Sequence, residues 1–164
     1  MNKSIMEVSF KIRQANNNDT EEIILLVLQG LNEFGFELDF DTSESDLLNI
    51  DEKYNKNGGV FLIAESKEAQ IIATGGLLKI TNNQYKIRKM YVAKNYRRKG
   101  LGKLILTELE DHALKNGART VILETTKLMV AAIGLYKAFG FKESSEVLDS
   151  PRCEISMVKT YIKK

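Results

Sequence analysis

Residues 91–106 have the sequence Tyr91-Val-Ala-Lys-Asn-Tyr-Arg-Arg-Lys-Gly-Leu-Gly-Lys-Leu-Ile-Leu106. This pattern predicts a strand, a short loop and a helix that begins at about Gly100. The helix start carries three cations, at positions 97–99, although the dipole already makes this end of a helix positive. Glycine at positions 100 and 102 also costs roughly 1 kcal/mol each relative to alanine in a helical turn. Both features are explained if an anion binds the bare backbone amides of this turn, so the run predicts an anion site.

Charge is unevenly distributed along the chain, although the formal net charge is only +2. Residues 14–52 contain eleven Asp and Glu and no Lys or Arg, whereas residues 69–107 contain nine Lys and Arg and no acid. One part of the chain therefore suits an anion and another part a cation. The small net charge argues against a nucleic-acid-binding module, because such domains carry a clear excess of Lys and Arg.

Length and composition favour a single globular domain over residues 1–164. The chain has 43% hydrophobic residues and one cysteine, Cys153. A single cysteine cannot form an internal disulfide, which fits a reducing cytosol. The N-terminal residues lack the apolar segment of a signal peptide, and no run of about 18 apolar residues could span a membrane. We therefore expect a soluble, cytoplasmic protein that has no membrane partner.

Periodicity predicts the order strand, two helices, three strands, helix, strand, helix and two strands. The short connections between the three consecutive strands predict an antiparallel meander. The polar composition of residues 43–54 indicates a lid or wall, not a part of the core. The order of elements predicts an α/β domain with a mixed sheet. The predicted strands cover residues 6–13, 59–65, 71–80, 84–92, 120–124, 141–148 and 154–162, and the predicted helices cover residues 43–54, 100–116 and 130–139 and a segment that begins at Asp19 or Thr20.

The glycine loop matches neither of two common phosphate-binding motifs. Gly102-Lys103 resembles part of the nucleoside triphosphate P-loop, but Leu104 stands where that motif needs Ser or Thr. The dinucleotide fingerprint needs a third glycine, which this loop lacks. A different phosphate carrier is therefore expected.

Three spaced motifs resemble the GCN5-related N-acetyltransferase (GNAT) family, in the right order. The loop Arg97-x-x-Gly100-x-Gly102 is similar to the family's Arg/Gln-x-x-Gly-x-Gly/Ala loop, which wraps the diphosphate of coenzyme A. Upstream, Ile87-Arg-Lys-Met-Tyr-Val92 resembles the family's fourth strand. Downstream, Leu123-Glu-Thr125 resembles the fifth strand, and Ala132-Ile-Gly-Leu-Tyr-Lys-Ala-Phe-Gly-Phe141 resembles the helix that follows it. The resemblance covers the chain from Val8 to Tyr161.

The resemblance implies acetyl-CoA as cosubstrate, with its diphosphate at the glycine loop and its pantetheine arm paired with the fourth strand. It also implies a mostly antiparallel sheet of about six to seven strands, flanked by about four helices. The cofactor-binding residues that it implies are Met90, Tyr91, Val92, Arg97, Arg98, Lys99, Gly100, Leu101, Gly102, Lys103, Met129 and Tyr136. Relatives often carry an asparagine at the position of Met129, which can pack against the arm without that polar contact.

Acetyl transfer from a thioester to an amine needs a neutral amine, donors for the developing oxyanion and a proton for the departing thiolate. The resemblance assigns the proton to Tyr136, for which the alternative is a packing role on an amphipathic helix. It assigns the oxyanion donor to a backbone N–H near residues 90–92. Relatives often have a glutamate base where this chain has Lys86. Glu124 is the remaining candidate base, acting through water, and it could equally be a structural hydrogen-bond acceptor.

The acidic block in the first third of the chain falls where the family builds its acceptor wall. It is either a solvated loop that phenylalanines pin to the core or a surface that attracts a cationic or amine-bearing acceptor. The sequence therefore predicts a direct N-acetyltransferase, with a non-catalytic acyl-CoA-binding domain as the alternative. We expect no metal, because no His, Cys and carboxylate group has ligand spacing, and either a monomer or a homodimer. The acidic block comprises Glu33, Glu37, Asp39, Asp41, Glu44 and Asp46, interleaved with Phe34, Phe36 and Phe40.

Overall fold

A mixed sheet of seven strands organises the chain in a computed structural model that describes residues 9–146 and 148–162. The strands are β1 Phe10–Gln14, β2 Val60–Ser66, β3 Ile71–Lys79, β4 Gln84–Val92, β5 Thr120–Thr125, β6 Lys142–Ser144 and β7 Ile155–Thr160. Their spatial order is β1-β2-β3-β4-β5-β7-β6. Every neighbouring pair is antiparallel except β4 and β5, which are parallel.

Four α-helices lie in the described part of the chain: α1 Thr20–Asn32, α2 Ile50–Lys53, α3 Leu101–Lys115 and α4 Val130–Ala138. The α/β class, the number of strands and helices and the mostly antiparallel sheet are thus confirmed. None of the helices among residues 9–146 and 148–162 combines the length and the apolar composition needed to cross a membrane.

Of the predicted strands, the one at residues 84–92 has the predicted bounds, and most of the others differ by one or two residues at an end, but the first and sixth strands differ more. For the strand predicted at residues 6–13, residues 6–8 lie outside the described residues, and β1 continues one residue further, to Gln14. The strand predicted at 141–148 is only the three residues of β6, and residue 147 lies outside the described residues. β6 is short because its partner strand ends close to the last pair. Ser144 pairs with Ser156 of β7, and β7 begins at Ile155, so β7 offers only one further residue with which β6 could pair.

The sheet separates two hydrophobic clusters, because neighbouring residues of a strand point to opposite faces. Residues of α3 pack on one face with β-strand residues such as Leu77 and Val121. Residues of α1 pack on the other face with Phe61 and Ile63. The prediction that residues 43–54 lie outside the core is wrong, because Leu47, Ile50 and Tyr54 are fully buried in this second cluster. Their segment forms a 3-10 turn, Ser45–Asn49, followed by α2.

Candidate active site

The parallel strands β4 and β5 separate part-way along their length. Pairing runs from Gln84 with Thr120 to Ile87 with Leu123, and residues 90–92 of β4 lie beyond the last pair. A bulge sits next to this point, where the register with β3 shifts and Lys89 adopts a φ of +57°. The backbone of residues 90–92 is therefore left without a strand partner on the β5 side, as expected for a strand that pairs with a ligand.

The turn before α3 has the geometry of an anion site. Gly100 is the N-cap residue and has a φ of +82°, a conformation that glycine adopts without strain. The first N–H groups of a helix have no partner within it, so those that follow Gly100 face outward. A Cβ at Gly102 would lie 3.5 Å from Leu135 Cδ2 and 3.8 Å from Val92 Cγ2, which are ordinary contacts. The protein itself would thus accept alanine at position 102, and the glycine leaves space for something else.

The cations of this loop have different environments. Arg97 is exposed but paired with other residues of the protein: its Nη1 and Nη2 each donate to a carboxylate oxygen of Glu33 at 2.7 Å, and its Nε donates to the Val92 carbonyl at 2.9 Å. The Lys99 ammonium lies 5.3 Å from the centre of the Tyr96 ring. Arg97 therefore fastens the loop to α1 and β4, and the charge that faces the open side comes from other residues of the loop.

A cleft of about 570 Å³ extends from the glycine loop to the start of α4. It is lined by the ends of α1 and β4, by the loop itself and by one face of α4. Of the predicted cofactor-binding residues, Lys99 alone is not among the lining residues, and Glu124 also lies outside them. The lining residues that were predicted are Met90, Tyr91, Val92, Arg97, Arg98, Gly100, Leu101, Gly102, Lys103, Met129 and Tyr136, and the others include Gly30, Phe34, Tyr96, Ala131, Ala132 and Leu135.

Tyr136 projects from α4 into the inner end of the cleft. The residue is 6% exposed, and its ring packs edge-on against Phe141 with 6.0 Å between ring centres. Burial raises the pKa of Tyr136 well above its ordinary value, and the neighbouring Tyr91 and Cys153 raise it further. The hydroxyl therefore keeps its proton throughout the neutral range and can act as a proton donor.

Glu124 is held by the protein and does not face the cleft. Its Oε1 accepts a hydrogen bond from the Asp149 amide at 2.6 Å, and its Oε2 accepts one from the Ser150 amide at 3.3 Å. Lys86 Nζ lies 3.3 Å from Glu124 Oε2 and donates to Asp149 Oδ2 at 3.0 Å. The Glu124 carboxylate thus holds the loop before β7 against β5. This is the structural role that was the alternative to a catalytic one, and the role of Glu124 as a base stays a prediction.

Two lining residues at the end of α1 were not among the predicted cofactor-binding residues. Gly30 packs against the ring of Tyr91, and a Cβ there would overlap that ring. Phe34 follows two residues after the helix and lines the same cleft. The sequence could have indicated Gly30, because a glycine inside a helix costs roughly 1 kcal/mol relative to alanine. The same cost indicated the glycine loop.

Three of the six acids in the acidic block form ion pairs within the protein. Glu33 binds Arg97, and the buried Glu44 accepts hydrogen bonds from Arg152 at 2.8 and 2.9 Å. Asp46 Oδ1 lies 3.2 Å from Lys89 Nζ. Much of the predicted negative field is thereby neutralised, and the cationic character of the acceptor stays a prediction.

Comparisons with known proteins agree with this geometry. A family profile described as "Acetyltransferase (GNAT) family" matches residues 26–141. An uncharacterized N-acetyltransferase of Schizosaccharomyces pombe is 27% identical over 134 residues, which cover 81% of this chain and 82% of the relative. Among solved structures, a GNAT-family acetyltransferase from Staphylococcus aureus superposes with a TM-score of 0.86 and 27% identity, covering 93% of this chain and 99% of that one.

A second solved structure is the PaiA N-acetyltransferase of Thermoplasma acidophilum in complex with coenzyme A, which has a TM-score of 0.73 and 21% identity and covers 93% of this chain and 99% of that one. At this identity the likeness shows the fold. The family profile covers well over half of the 164 residues. The chain therefore belongs to the acetyltransferase (GNAT) family and is an acyltransferase.

Proposed function

We propose that the protein transfers an acetyl group from acetyl-CoA directly to a primary amine, with Tyr136 as the general acid. The observation that carries this proposal is the cleft: it joins an anion-binding helix start, an unpaired stretch of β4 and a buried tyrosine hydroxyl in one continuous space of about 570 Å³. The helix start would bind the cosubstrate, and the other two parts would supply the oxyanion donor and the proton that thioester aminolysis needs.

The glycine loop would bind the diphosphate of the cosubstrate. Free amides after Gly100 supply hydrogen bonds, and the helix dipole favours an anion. Arg98 and Lys103 line the same cleft and add positive charge. The solved Thermoplasma relative, which contains coenzyme A, supports this choice of anion.

The unpaired backbone of residues 90–92 would receive the pantetheine arm as an additional strand. An N–H of the same stretch would donate to the thioester oxygen as it becomes negative, and removal of such a donor typically slows a reaction by about 10²–10³-fold. The Tyr136 hydroxyl, which its raised pKa keeps protonated, would give its proton to the departing sulfur as the C–S bond breaks. The amine nitrogen would release a proton to solvent as the C–N bond forms, and solvent would return a proton to Tyr136.

Release of free thiol from acetyl-CoA tests the proposal. Acetyl-CoA would be offered with a panel of amino acids, polyamines, aminoglycosides and peptides, and we expect thiol release with one class of amine and none without an acceptor. Mass spectrometry of the product should show one added acetyl group on nitrogen. Coenzyme A binding without thiol release for any amine would overturn the proposal and favour the non-catalytic alternative.

A further inference from the structure

A cluster of buried charges lies beside Tyr91, on the face of the sheet that packs against α1. It contains the acids Glu44 and Asp46 and the cations Arg88, Lys89 and Arg152. Tyr91 lines the cleft, and its pKa is raised mainly by burial, while Arg152 lowers it and Glu44 and Asp46 raise it to a smaller extent. The cluster is therefore next to the inner end of the cleft, where an acceptor amine would meet the thioester.

The ion pairs of this cluster leave one cation unmatched. Glu44 is fully buried and binds Arg152 through both carboxylate oxygens. Asp46 contacts Lys89 and accepts a hydrogen bond from the Tyr54 hydroxyl. Two carboxylates thus face three cations, and Arg88 is the cation whose nearest carboxylate oxygen is farthest away, at 3.9 Å in Asp46.

The nearest groups outside the cluster do not remove this excess. Glu124 is matched by Lys86, whose side chain is 7% exposed and lies 3.3 Å away. Asp149, the second partner of Lys86, has a side chain that is 81% exposed, so solvent screens its charge.

Arg88 also has unused hydrogen-bond donors. A guanidinium group carries five N–H donors. Arg88 Nη2 donates to the Ser43 carbonyl at 2.8 Å. Its Nε lies 3.9 Å from Asp46 Oδ2, which is too far for a hydrogen bond. Within the described residues, neither Nε nor Nη1 of Arg88 has a hydrogen-bond partner, and the side chain keeps 25% of its surface exposed. Lys89, by comparison, is 6% exposed and donates to the Ser43 carbonyl at 2.6 Å.

The position of Arg88 on β4 places it near the cleft, although Arg88 is not among the lining residues. It is the first residue after the last β4–β5 pair and lies two residues before Met90, which lines the cleft. Two residues of a strand span roughly 7 Å. A small molecule can therefore place an amine at the thioester while another of its groups reaches Arg88.

We infer that Arg88 is a specificity-determining residue that binds a carboxylate of the acceptor, so that the substrate is an amino acid or another small amine carrying its own carboxylate. This inference rests on the proposed function. A carboxylate carries a single negative charge, which matches the single excess positive charge of the cluster, and its two oxygens suit two N–H donors of one guanidinium.

The test compares each acid with its carboxamide, with kcat/KM calculated on the concentration of neutral amine, because a carboxamide also lowers the pKa of the amine. Glycine, β-alanine and γ-aminobutyrate would each be assayed against the corresponding carboxamide in the thiol-release assay. For the best of the three, we expect kcat/KM to be at least about tenfold higher for the acid than for the amide, because hydrogen bonds to charged groups are the stronger ones. Equal rates for acid and amide would overturn the inference and leave the proposed function intact.

Substitution of Arg88 shows whether this residue is responsible. Arg88→Gln should reduce kcat/KM for the acid by about tenfold or more, through KM, and change the amide by less than about threefold. Arg88→Lys retains the charge and a donor to Ser43, so its kcat/KM for the acid should lie between the values of the wild type and Arg88→Gln. Arg119→Gln is the matched control, since Arg119 is exposed and precedes β5 at the end away from the cleft. Equal losses for acid and amide in Arg88→Gln would also overturn the inference.

Measurements of product binding test this inference independently of the reaction. Calorimetry of N-acetylglycine and its amide with the coenzyme A complex should show tighter binding of the acid in the wild type and no preference in Arg88→Gln. If that result appears while no amine releases thiol, the inference holds and the proposed function fails. If neither carboxylate-dependent binding nor turnover appears, both fail.

Discussion

The two ends of the active site are built in contrasting ways. The donor end is an open cleft, supplied mainly by two short stretches of the chain, residues 90–103 and 129–136. The acceptor end, so named because we propose that the acceptor binds there, is a cluster of largely buried charges that joins residues 43–46, 88–89 and 152, which are far apart in the sequence. The first uses backbone amides and small residues, whereas the second uses buried charged side chains. The cleft is thus built from local backbone geometry, whereas the charge cluster depends on pairing between residues that are far apart in the sequence.

Removal of the Tyr136 hydroxyl should have the largest effect, and it tests the point where the two ends meet. Tyr136→Phe should reduce kcat by at least about 100-fold, which is the lower end for a general acid, because the coenzyme A thiol is itself a good leaving group. The Kd of coenzyme A should change less than about threefold, because a hydroxyl that acts on the thiolate contributes little to binding of the diphosphate. Steady-state kinetics and calorimetry give the two values.

Tyr96→Phe is the matched control for this change, because Tyr96 lines the same cleft. It should leave kcat within about threefold. Since burial raises the pKa of Tyr136, the acidic form persists as the pH rises, and the wild-type rate should not fall near pH 10, the ordinary pKa of a tyrosine. A wild-type rate that fell near pH 7 because Tyr136 lost its proton would exclude Tyr136 as the acid. Equal losses of kcat in Tyr136→Phe and Tyr96→Phe would exclude it as well.

Breaking a buried pair at the acceptor end should have the next largest effect, on stability. Glu44→Gln leaves the charge of Arg152 without its carboxylate in a site where Glu44 is fully buried. Removing one partner of a buried ion pair typically lowers the free energy of unfolding by about 3–5 kcal/mol. Urea unfolding followed by circular dichroism measures this change.

Glu37→Gln is the control for the acceptor end, because Glu37 lies in the same acidic block and is exposed, and only its backbone carbonyl contacts Arg152. This variant should remain within about 0.5 kcal/mol of the wild type. At temperatures where both variants are folded, the Kd of coenzyme A should be the same in both. Equal stability of the two variants would show that the Glu44 pair does not hold the acceptor end together.

The same contrast explains how much of the molecule could be predicted from its sequence. The order of the elements, the sheet and the glycine loop follow from local periodicity and from Gly100 and Gly102. The buried charge cluster could not be predicted in this way, because the partner of Glu44 is Arg152, 108 residues later. Polar residues near position 44 therefore indicated a solvated segment, although Leu47 and Tyr54 belong to the core. Sequence polarity shows that charges are present but not which of them are paired.

A moderate effect is expected at Glu33, which connects α1 to the donor end. Glu33→Gln weakens the pair that holds Arg97, and with both side chains about a third exposed the loss should be about 0.5–1 kcal/mol. We expect the Kd of coenzyme A to rise by about two- to fivefold, because the loop is less well positioned. Glu108→Gln, an exposed change on α3, should leave the Kd unaltered. Tighter binding in Glu33→Gln would instead mean that Glu33 competes with the diphosphate for Arg97.

The contribution of Glu33 should also depend on pH in a defined direction. The hydrogen bonds from Arg97 hold the pKa of Glu33 below its ordinary value in the folded protein. A group whose pKa is lowered by folding stabilises the protein above its unfolded pKa, and that contribution is lost as the pH falls through the lowered value. The difference in unfolding free energy between the wild type and Glu33→Gln should therefore be constant at neutral pH and shrink in the acidic range. A difference that grew on acidification would contradict the ion pair.

The smallest expected effects have opposite signs, which makes them diagnostic of the donor end. Gly102→Ala should raise the unfolding free energy by up to about 1 kcal/mol, since alanine is the better helix former and its Cβ would meet no close contact. The same methyl group lies beside the helix amides and should raise the Kd of coenzyme A by a few-fold. Gly134→Ala in α4, where a Cβ meets open space outside the cleft lining, should stabilise without changing the Kd. An equal Kd of coenzyme A in both variants would show that binding does not need a glycine at position 102. The anion site would then depend on Gly100 and the free amides alone.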